Sequence, residues 1–470
     1  MPPAAERPTP PPSVPSALSS DTARTLRNRV RAASLVGTTI EFYDFYVYAT
    51  AAVAVFPALF FTGENETAKL LASMATFGAA FIARPIGSVL FGHFGDRIGR
   101  KVTLIGALLT MGIATILIGL LPTYYSIGLW APIILTILRF CQGLGLGGEW
   151  SGAALLATEY AEEGKRARAA MWPQLGAPFG FILANGFFLL LTVAMGFTTL
   201  ADSGSDHAFL AWGWRIPFVA SIVMVLVGLY VRFSLEETPV FRTAVERSEP
   251  VKSPLTEVFK TSWVQIIQGT FIMLATYVLF YLMTAWILSY GIGSAAAGGL
   301  GIPYRNFLVI QLIAVVLFAA MIPVSGWLAD VYGRRSSLLV ITAGIVVFGL
   351  LFGWFIAPEN LGTGADLSMV RLVIFLAIGM ALMGLTFGSM SAVLPELFPT
   401  NVRYTGSGIA YNVASILGAA LTPYAAVWLN ASYGVSAVGL YLSAAAVITF
   451  AALWLSPETR HVSMLDVGTR

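Results

Sequence analysis

Five ionisable side chains stand inside otherwise apolar stretches in the first half of the chain: Glu41, Asp44, Arg84, Arg139 and Glu149. A charge at the centre of a lipid bilayer costs about 2.5–3.5 kcal/mol on the insertion scale, so each marks a candidate site. Glu41 and Asp44 are three residues apart and share one helix face, which Tyr48 continues four residues after Asp44. At about 1.5 Å per residue, Asp44 lies roughly 18 Å into its span, near mid-membrane. The chemistry open to this set is proton uptake and release by Asp44, with Glu41 and Glu149 as further candidates. Arg84 and Arg139 are candidates for pairing with those carboxylates or for holding an anionic solute. A static pair of Asp44 with an arginine, fixing packing alone, is the other reading of the same residues.

Polar and aromatic side chains on later stretches could line a cavity: Gln174 and Asn185 on the fifth, Gln265, Gln268, Tyr277, Tyr281 and Trp286 on the seventh, Tyr411 and Asn412 on the eleventh. Aromatic residues in such stretches also serve as packing and interfacial anchors. Gly143-Leu144-Gly145-Leu146-Gly147-Gly148 has the look of a phosphate loop, but it lies in an apolar run and follows no strand, which excludes a nucleotide site. Its four-residue spacing, Gly143 to Gly147 and Gly148 to Gly152, instead lets a helix approach its neighbour closely. One cysteine, Cys141, and three scattered histidines give no disulfide and no metal-ligand spacing. No cofactor or metal is expected.

These residues need a membrane frame, and the composition supplies it: 57% of the 470 residues are apolar and 11% charged, against roughly 45–50% and 25% in soluble domains. At about 20 apolar residues per crossing, twelve spans fall near 32–61, 68–92, 102–122, 127–157, 168–196, 211–235, 263–292, 304–329, 336–357, 368–395, 402–428 and 433–456. The expected architecture is therefore all-α and integral to the membrane. Residues 1–31 read as a disordered, proline-rich cytoplasmic tail, 32–235 as a first six-helix bundle, and 236–262 as a polar central loop. Residues 263–456 read as a second bundle and 457–470 as a C-terminal tail. Of the 27 Lys and Arg, only Lys69, Arg215, Arg305 and Arg371 fall in loops on one side, and Arg84 and Arg139 fall within spans. The rest share the side of both termini, which the positive-inside rule makes cytoplasmic. The near balance of Lys and Arg with the 24 Asp and Glu argues against a nucleic-acid surface.

The two halves echo one another. Gly92-His93-Phe94-Gly95-Asp96-Arg97-Ile98-Gly99-Arg100-Lys101 follows the second span and Gly326-Trp327-Leu328-Ala329-Asp330-Val331-Tyr332-Gly333-Arg334-Arg335 the eighth. Glu159 with Arg166 after the fourth span matches Glu396 with Arg403 after the tenth, and Glu237-Thr238 matches Glu458-Thr459. Ordered echoes of this kind indicate a duplicated six-helix unit. The expected role of the glycines, Gly92, Gly99, Gly326 and Gly333, is close approach. Asp96, Arg97, Arg100, Glu159, Arg166, Asp330, Arg334, Glu396 and Arg403 are expected to pair charges across a cytoplasmic gate.

Asp96-Arg97-Ile98-Gly99-Arg100-Lys101 and its second copy resemble the signature of the major facilitator superfamily. Glu41-Phe42-Tyr43-Asp44-Phe45-Tyr46, Arg84-Pro85-Ile86-Gly87, Arg139-Phe140-Cys141-Gln142-Gly143 with Gly147-Gly148-Glu149-Trp150, and Trp212-Gly213-Trp214-Arg215-Ile216-Pro217-Phe218 resemble its metabolite:proton symporter family. Members of that family carry shikimate, 2-oxoglutarate, citrate, or proline and betaine. The resemblance covers nearly the whole chain; Phe42 stands where the family often has Trp, and Val331 departs from Arg97 of the first copy. It implies two six-helix bundles around a central cavity, alternating access, and symport driven by protons.

Both lines lead to a plasma (inner) membrane, multi-pass importer of a small polar metabolite, an organic acid or zwitterion, acting as a monomer. Its expected partners are that metabolite, protons and the bilayer. Proton-coupled drug or metabolite antiport is the alternative. An enzyme is not expected, since the short loops offer no nucleophile, metal or base set.

Overall fold

The structure, a computed structural model, describes residues 20–460 apart from 64, 99, 148, 160, 163, 199–206, 235–253, 363–366 and 400–401. All regular structure among the described residues is helical. Twelve spans follow in order: α1 (Ser20–Ala54), α2 (Glu66–Ile98), α3 (Arg100–Leu120), α4 (Trp130–Leu146, resumed as Glu149–Glu159), α5 (Arg166–Ala194) and α6 (Arg215–Ser234). The second half contains α7 (Trp263–Ile292), α8 (Tyr304–Tyr332), α9 (Arg334–Leu350), α10 (Met369–Glu396), α11 (Arg403–Tyr433) and α12 (Val435–Trp454).

Eight of these helices carry a long apolar window, and α3 and α4 hold the shorter apolar stretches Ile105–Leu120 and Trp130–Leu146. In α1 the window is interrupted by Glu41 and Asp44. Several ends differ from the sequence-based spans. Helix α1 starts at Ser20, inside the segment expected to be a tail, because its basic first turns carry the helix beyond the apolar stretch; residues 1–19 lie outside the described residues. It ends at Ala54, short of 61, and a separate turn follows at Phe56–Leu59 with proline in its first turn. The fourth span is interrupted at its glycine run, where four glycines in six residues weaken the helix. Of the central loop, Pro254–Thr261 is a short helix, and 235–253 lie outside the described residues.

Helix packing repeats between the halves. In the first, α1 packs on α5, α2 on α4, and α3 on α4 and α6; in the second, α7 packs on α11, α8 on α10, and α9 on α12 and α10. The halves meet through α5 against α8 and α2 against α11, which are equivalent contacts under that repeat. Glycine sets the closest of these approaches. A Cβ at Gly143 would overlap the Ala80 carbonyl, one at Gly147 the Arg84 carbonyl, and one at Gly87 the Leu144 carbonyl, so α2 and α4 touch backbone to backbone. The glycine face thus fixes the depth of Arg84 relative to Arg139.

Candidate functional site

Between the halves, Phe42 and Phe45 of α1, Arg84 of α2, Thr276, Tyr277, Phe280 and Tyr281 of α7, Phe387 of α10 and Tyr411 of α11 line a cavity of about 10 Å³. That is room for roughly one water molecule. The aromatic rings fill the remainder: Phe42 stacks on Tyr46, and Phe280 lies against Phe387 at 5.5 Å. Arg84 enters the cavity with Glu41 beside it, Nη2 to Oε1 3.5 Å, both buried.

Asp44 faces away from this cavity, toward α3 and α6. Its Oδ1 accepts from the Ser221 hydroxyl at 2.5 Å and its Oδ2 from Thr115 at 3.1 Å, at 1% exposure. Arg139 is fully buried, with its guanidinium 4.1 Å from the Tyr48 ring centroid and near the rings of Phe77 and Phe45. Cation–π contact of this kind holds a desolvated charge without a counter-ion. The guanidinium reaches Asp44 only indirectly, through Gln142 and Thr115. A direct Asp44–arginine pair, the static alternative, is absent among the described residues.

Of the other cavity candidates, Tyr277, Tyr281 and Tyr411 line it as expected. Gln174 lies beside it, donating from α5 to the Phe387 carbonyl at 2.8 Å, where α10 breaks before Met390. Asn412 reaches the Gly147 carbonyl at 3.5 Å, joining α11 to α4. Asn185 instead accepts from Thr50 at 2.7 Å within the α1–α5 contact, Gln268 turns to Ala452 of α12, and Trp286 stacks on Tyr290 and Phe352. Those three are packing positions: helix rotation carries them off the cavity face. Gln265, half-buried on α7, is likewise not among the cavity-lining residues. The side chain of Glu149 lies outside the described residues.

Hydrogen bonds join the two halves on both faces. On the face of the chain termini, Asp330 accepts from the amides of Ala167 and Arg168 at 3.0 and 3.1 Å, so α8 of one half caps α5 of the other. Arg334 joins Asp330 at 3.1 Å and makes a two-pronged contact with Glu396, both bonds 3.1 Å. Thr459 donates to Glu396, and Glu458 accepts from the amides of Arg334 and Arg335. Gly333, at φ 102°, turns the chain there, and Gly326 lies against Ala167 and Arg168. Arg403 donates to the carbonyls of Pro395 and Phe398; Arg166, at the first turn of α5, is half-buried. The contacts on this face thus gather around the second-half motif. Gly99 and the side chains of Asp96, Arg97, Arg100 and Glu159 fall outside what is described, and of Gly92 only its place in α2 is given. On the opposite face Ser294 donates to Glu66 at 3.1 Å and the Tyr304 amide to the Thr198 carbonyl at 3.2 Å.

Sequence reasoning missed Thr115, Gln142, Ser221 and the aromatic cage of Arg139, because uncharged polar residues in apolar spans carry no distinctive spacing. Glu458 and Thr459 were visible as a repeat, though not as hydrogen-bond partners of Arg334, Arg335 and Glu396.

The Major Facilitator Superfamily model matches residues 35–423 and 310–469. The chain is 54% identical over 438 residues to the inner membrane metabolite transport protein YhjE of Escherichia coli, covering 93% of this chain and 96% of that one. It is 35% identical to the E. coli shikimate transporter over 427 residues, 90% of this chain and 92% of that one. Against the solved proton:xylose symporter XylE, the TM-score is 0.71 at 17% identity, covering 94% of this chain and 98% of that one, a likeness of fold. With twelve spans in two packed bundles, the repeated gate motif and relatives matched along most of its length, the chain belongs to the major facilitator superfamily and its metabolite:proton symporter family, whose members are membrane transporters and not enzymes.

Proposed function

We propose that the protein is a proton-coupled symporter that imports a small polar metabolite, an organic acid or zwitterion, by alternating access, in the inner membrane with both termini cytoplasmic. The observation that carries this reading is the separation of Asp44 from the cavity. A buried carboxylate held by two hydroxyls has the setting of a proton site. Arg84, lining the cavity among aromatic faces with Glu41 beside it, has the setting of a solute site. Glu41 and Glu149 stand behind Asp44 as further coupling candidates. Relatives named for shikimate and for proline and betaine support a carboxylate-bearing solute. Arg84 and Arg139 are the groups suited to that carboxylate, with Gln174, Tyr277, Tyr281, Tyr411 and Asn412 positioned around it. Co-entry of protons with an anion suits uptake, since each net positive charge entering gains roughly 2.3 kcal/mol per 100 mV, inside negative.

In this reading residues 32–235 and 263–456 are the two moving bundles, one chain suffices for transport, and Asp96, Arg97 and Arg100 with Asp330, Arg334 and Glu396 close the cytoplasmic side. The occluded cavity is then the midpoint of the cycle. Uptake into proteoliposomes of a panel of carboxylates and zwitterions under an imposed pH gradient tests it. Accumulation with proton entry is expected; proton exit against solute uptake would make the protein an antiporter.

A further inference from the structure

Two uncharged residues, Gln142 and Thr115, join Arg139 to Asp44, and the donors along that line run in only one direction. Arg139 can only donate, so the Gln142 carbonyl oxygen must face its Nη1, at 3.0 Å. The Gln142 amide nitrogen is thereby turned to Thr115 and donates to its hydroxyl at 2.6 Å. The single hydroxyl proton of Thr115 has two acceptors in reach, Asp44 Oδ2 at 3.1 Å and the Met111 carbonyl of its own helix at 2.9 Å. All four side chains are buried. Nε and Nη2 of Arg139 have no hydrogen-bond acceptor among the described residues. An arginine so placed would gain by meeting a carboxylate directly, and Gln142 occupies the space between.

We propose that Gln142 and Thr115 are positioning residues for proton coupling: they hold Arg139 one amide away from Asp44 and let a single hydroxyl serve both charge states of the carboxyl. With Asp44 ionised, Thr115 accepts from Gln142 and donates to Asp44. With Asp44 protonated, the carboxyl O–H donates to the second lone pair of the Thr115 oxygen, and the Thr115 proton turns to Met111. The heavy atoms keep their places, so proton loading needs no conformational change, while removal of the amide lets Arg139 close on Asp44. The other charged or titratable groups facing this chain among the described residues are few. Tyr43 adjoins Asp44 on α1, and Tyr48 of α1, Arg84 of α2 and Tyr281 of α7 face Arg139; α3 and α6 contribute the hydroxyls of Thr115 and Ser221.

The inference rests on Asp44 as the proton site, and its test needs no knowledge of the solute. Dicyclohexylcarbodiimide modifies protonated carboxyls in apolar surroundings, so the full-length protein in detergent is treated across a pH series and the extent of labelling at Asp44 is read by peptide mass spectrometry. Glu41, mapped in the same digest, is the internal control. Gln142→Leu should move the Asp44 midpoint about one to three pH units toward acid, the effect of an arginine brought into contact with a carboxylate. Thr115→Val, which removes a donor to the ionised form, should move it the opposite way, and Thr115→Ser should restore the wild-type profile. Opposite shifts at Asp44 with Glu41 unmoved are not expected of two merely structural residues. Unchanged Asp44 midpoints in folded Gln142→Leu and Thr115→Val proteins, or an Asp44 that takes no label at any pH, would overturn the proposal. Should the midpoints shift in a protein that does not couple uptake to protons, the proposed function fails and the hold of Gln142 and Thr115 on the Asp44 carboxyl stands; should Asp44→Asn still couple uptake, the coupling role passes to another carboxylate.

Discussion

Trp150 of α4 and Tyr411 of α11 lie face to face, ring centroids 3.8 Å apart and planes within 7° of parallel. One belongs to each half, and Tyr411 also lines the cavity, so in the proposed cycle the stack is a contact that opening on the side of the chain termini must break. Aromatic pairs are worth about 0.5–1.5 kcal/mol beyond the area they bury. Trp150→Ala should therefore favour opening on that side by roughly two- to twelvefold, taking 1.4 kcal/mol per factor of ten. With Cys141→Ser as background and Thr276→Cys as reporter, maleimide should react faster when Trp150 is truncated. Equal rates would place the closure elsewhere.

Asp330→Asn keeps an acceptor for the α5 amides but loses the charge that meets Arg334 and Arg168. The expectation is transport slowed about tenfold or more with little change in equilibrium solute binding, because the residue is assigned to the gate and does not line the cavity. Asp96→Asn, its counterpart in the sequence repeat, should behave likewise. Binding lost in proportion to transport would remove either residue from the gate.

Gly147→Leu should depress folded yield severely, since even a Cβ there overlaps the Arg84 carbonyl and α4 must move off α2. Over-packing of this sort costs about 1–3 kcal/mol or more. Fluorescence-detected size exclusion on the variant reads the outcome; a normal monodisperse peak with normal uptake would mean that the helices separate more easily than their contact suggests.

How far the sequence foretold the molecule depended on what each residue contributes to a linear pattern. Apolar runs gave the twelve spans, since crossing a bilayer demands length and the demand is met locally. The glycine spacing on α4 likewise announced a close helix contact, although not that α2 would be the partner. Pairings between distant segments were another matter. Asp330 was marked as a gate residue by its repeat, yet its hold on the amides of Ala167 and Arg168 depends on how the halves dock. Asp44 and Arg139 were both singled out for their charge, but the separation between them was hidden. It is made by Gln142 and Thr115, whose side chains look the same in a packing role as in this one.

Asp44→Asn is the decisive substitution for the proposed coupling. Asparagine is close to the protonated carboxyl in shape and cannot ionise, so it fixes the neutral state. Its carbonyl oxygen still accepts from Ser221 or Thr115, and Arg139, caged by Tyr48, Phe77 and Phe45 and bonded to Gln142, does not lose a direct counter-ion. Folding should accordingly survive within about 1 kcal/mol, where breaking a buried ion pair would cost about 3–5 kcal/mol. Transport should split by type: accumulation driven by a pH gradient abolished, and exchange of labelled for unlabelled solute retained, because exchange needs only the loaded carrier to reorient. Raising the pH should slow exchange in the wild type, as Asp44 loses its proton, and leave exchange by the variant unaffected in the same range. Thermal stability, pH-driven uptake and exchange measured on one preparation separate the cases. Stable Asp44→Asn protein that still concentrates solute against its gradient would shift the coupling role to Glu41 or Glu149, and protein that fails to fold would point to a structural carboxylate.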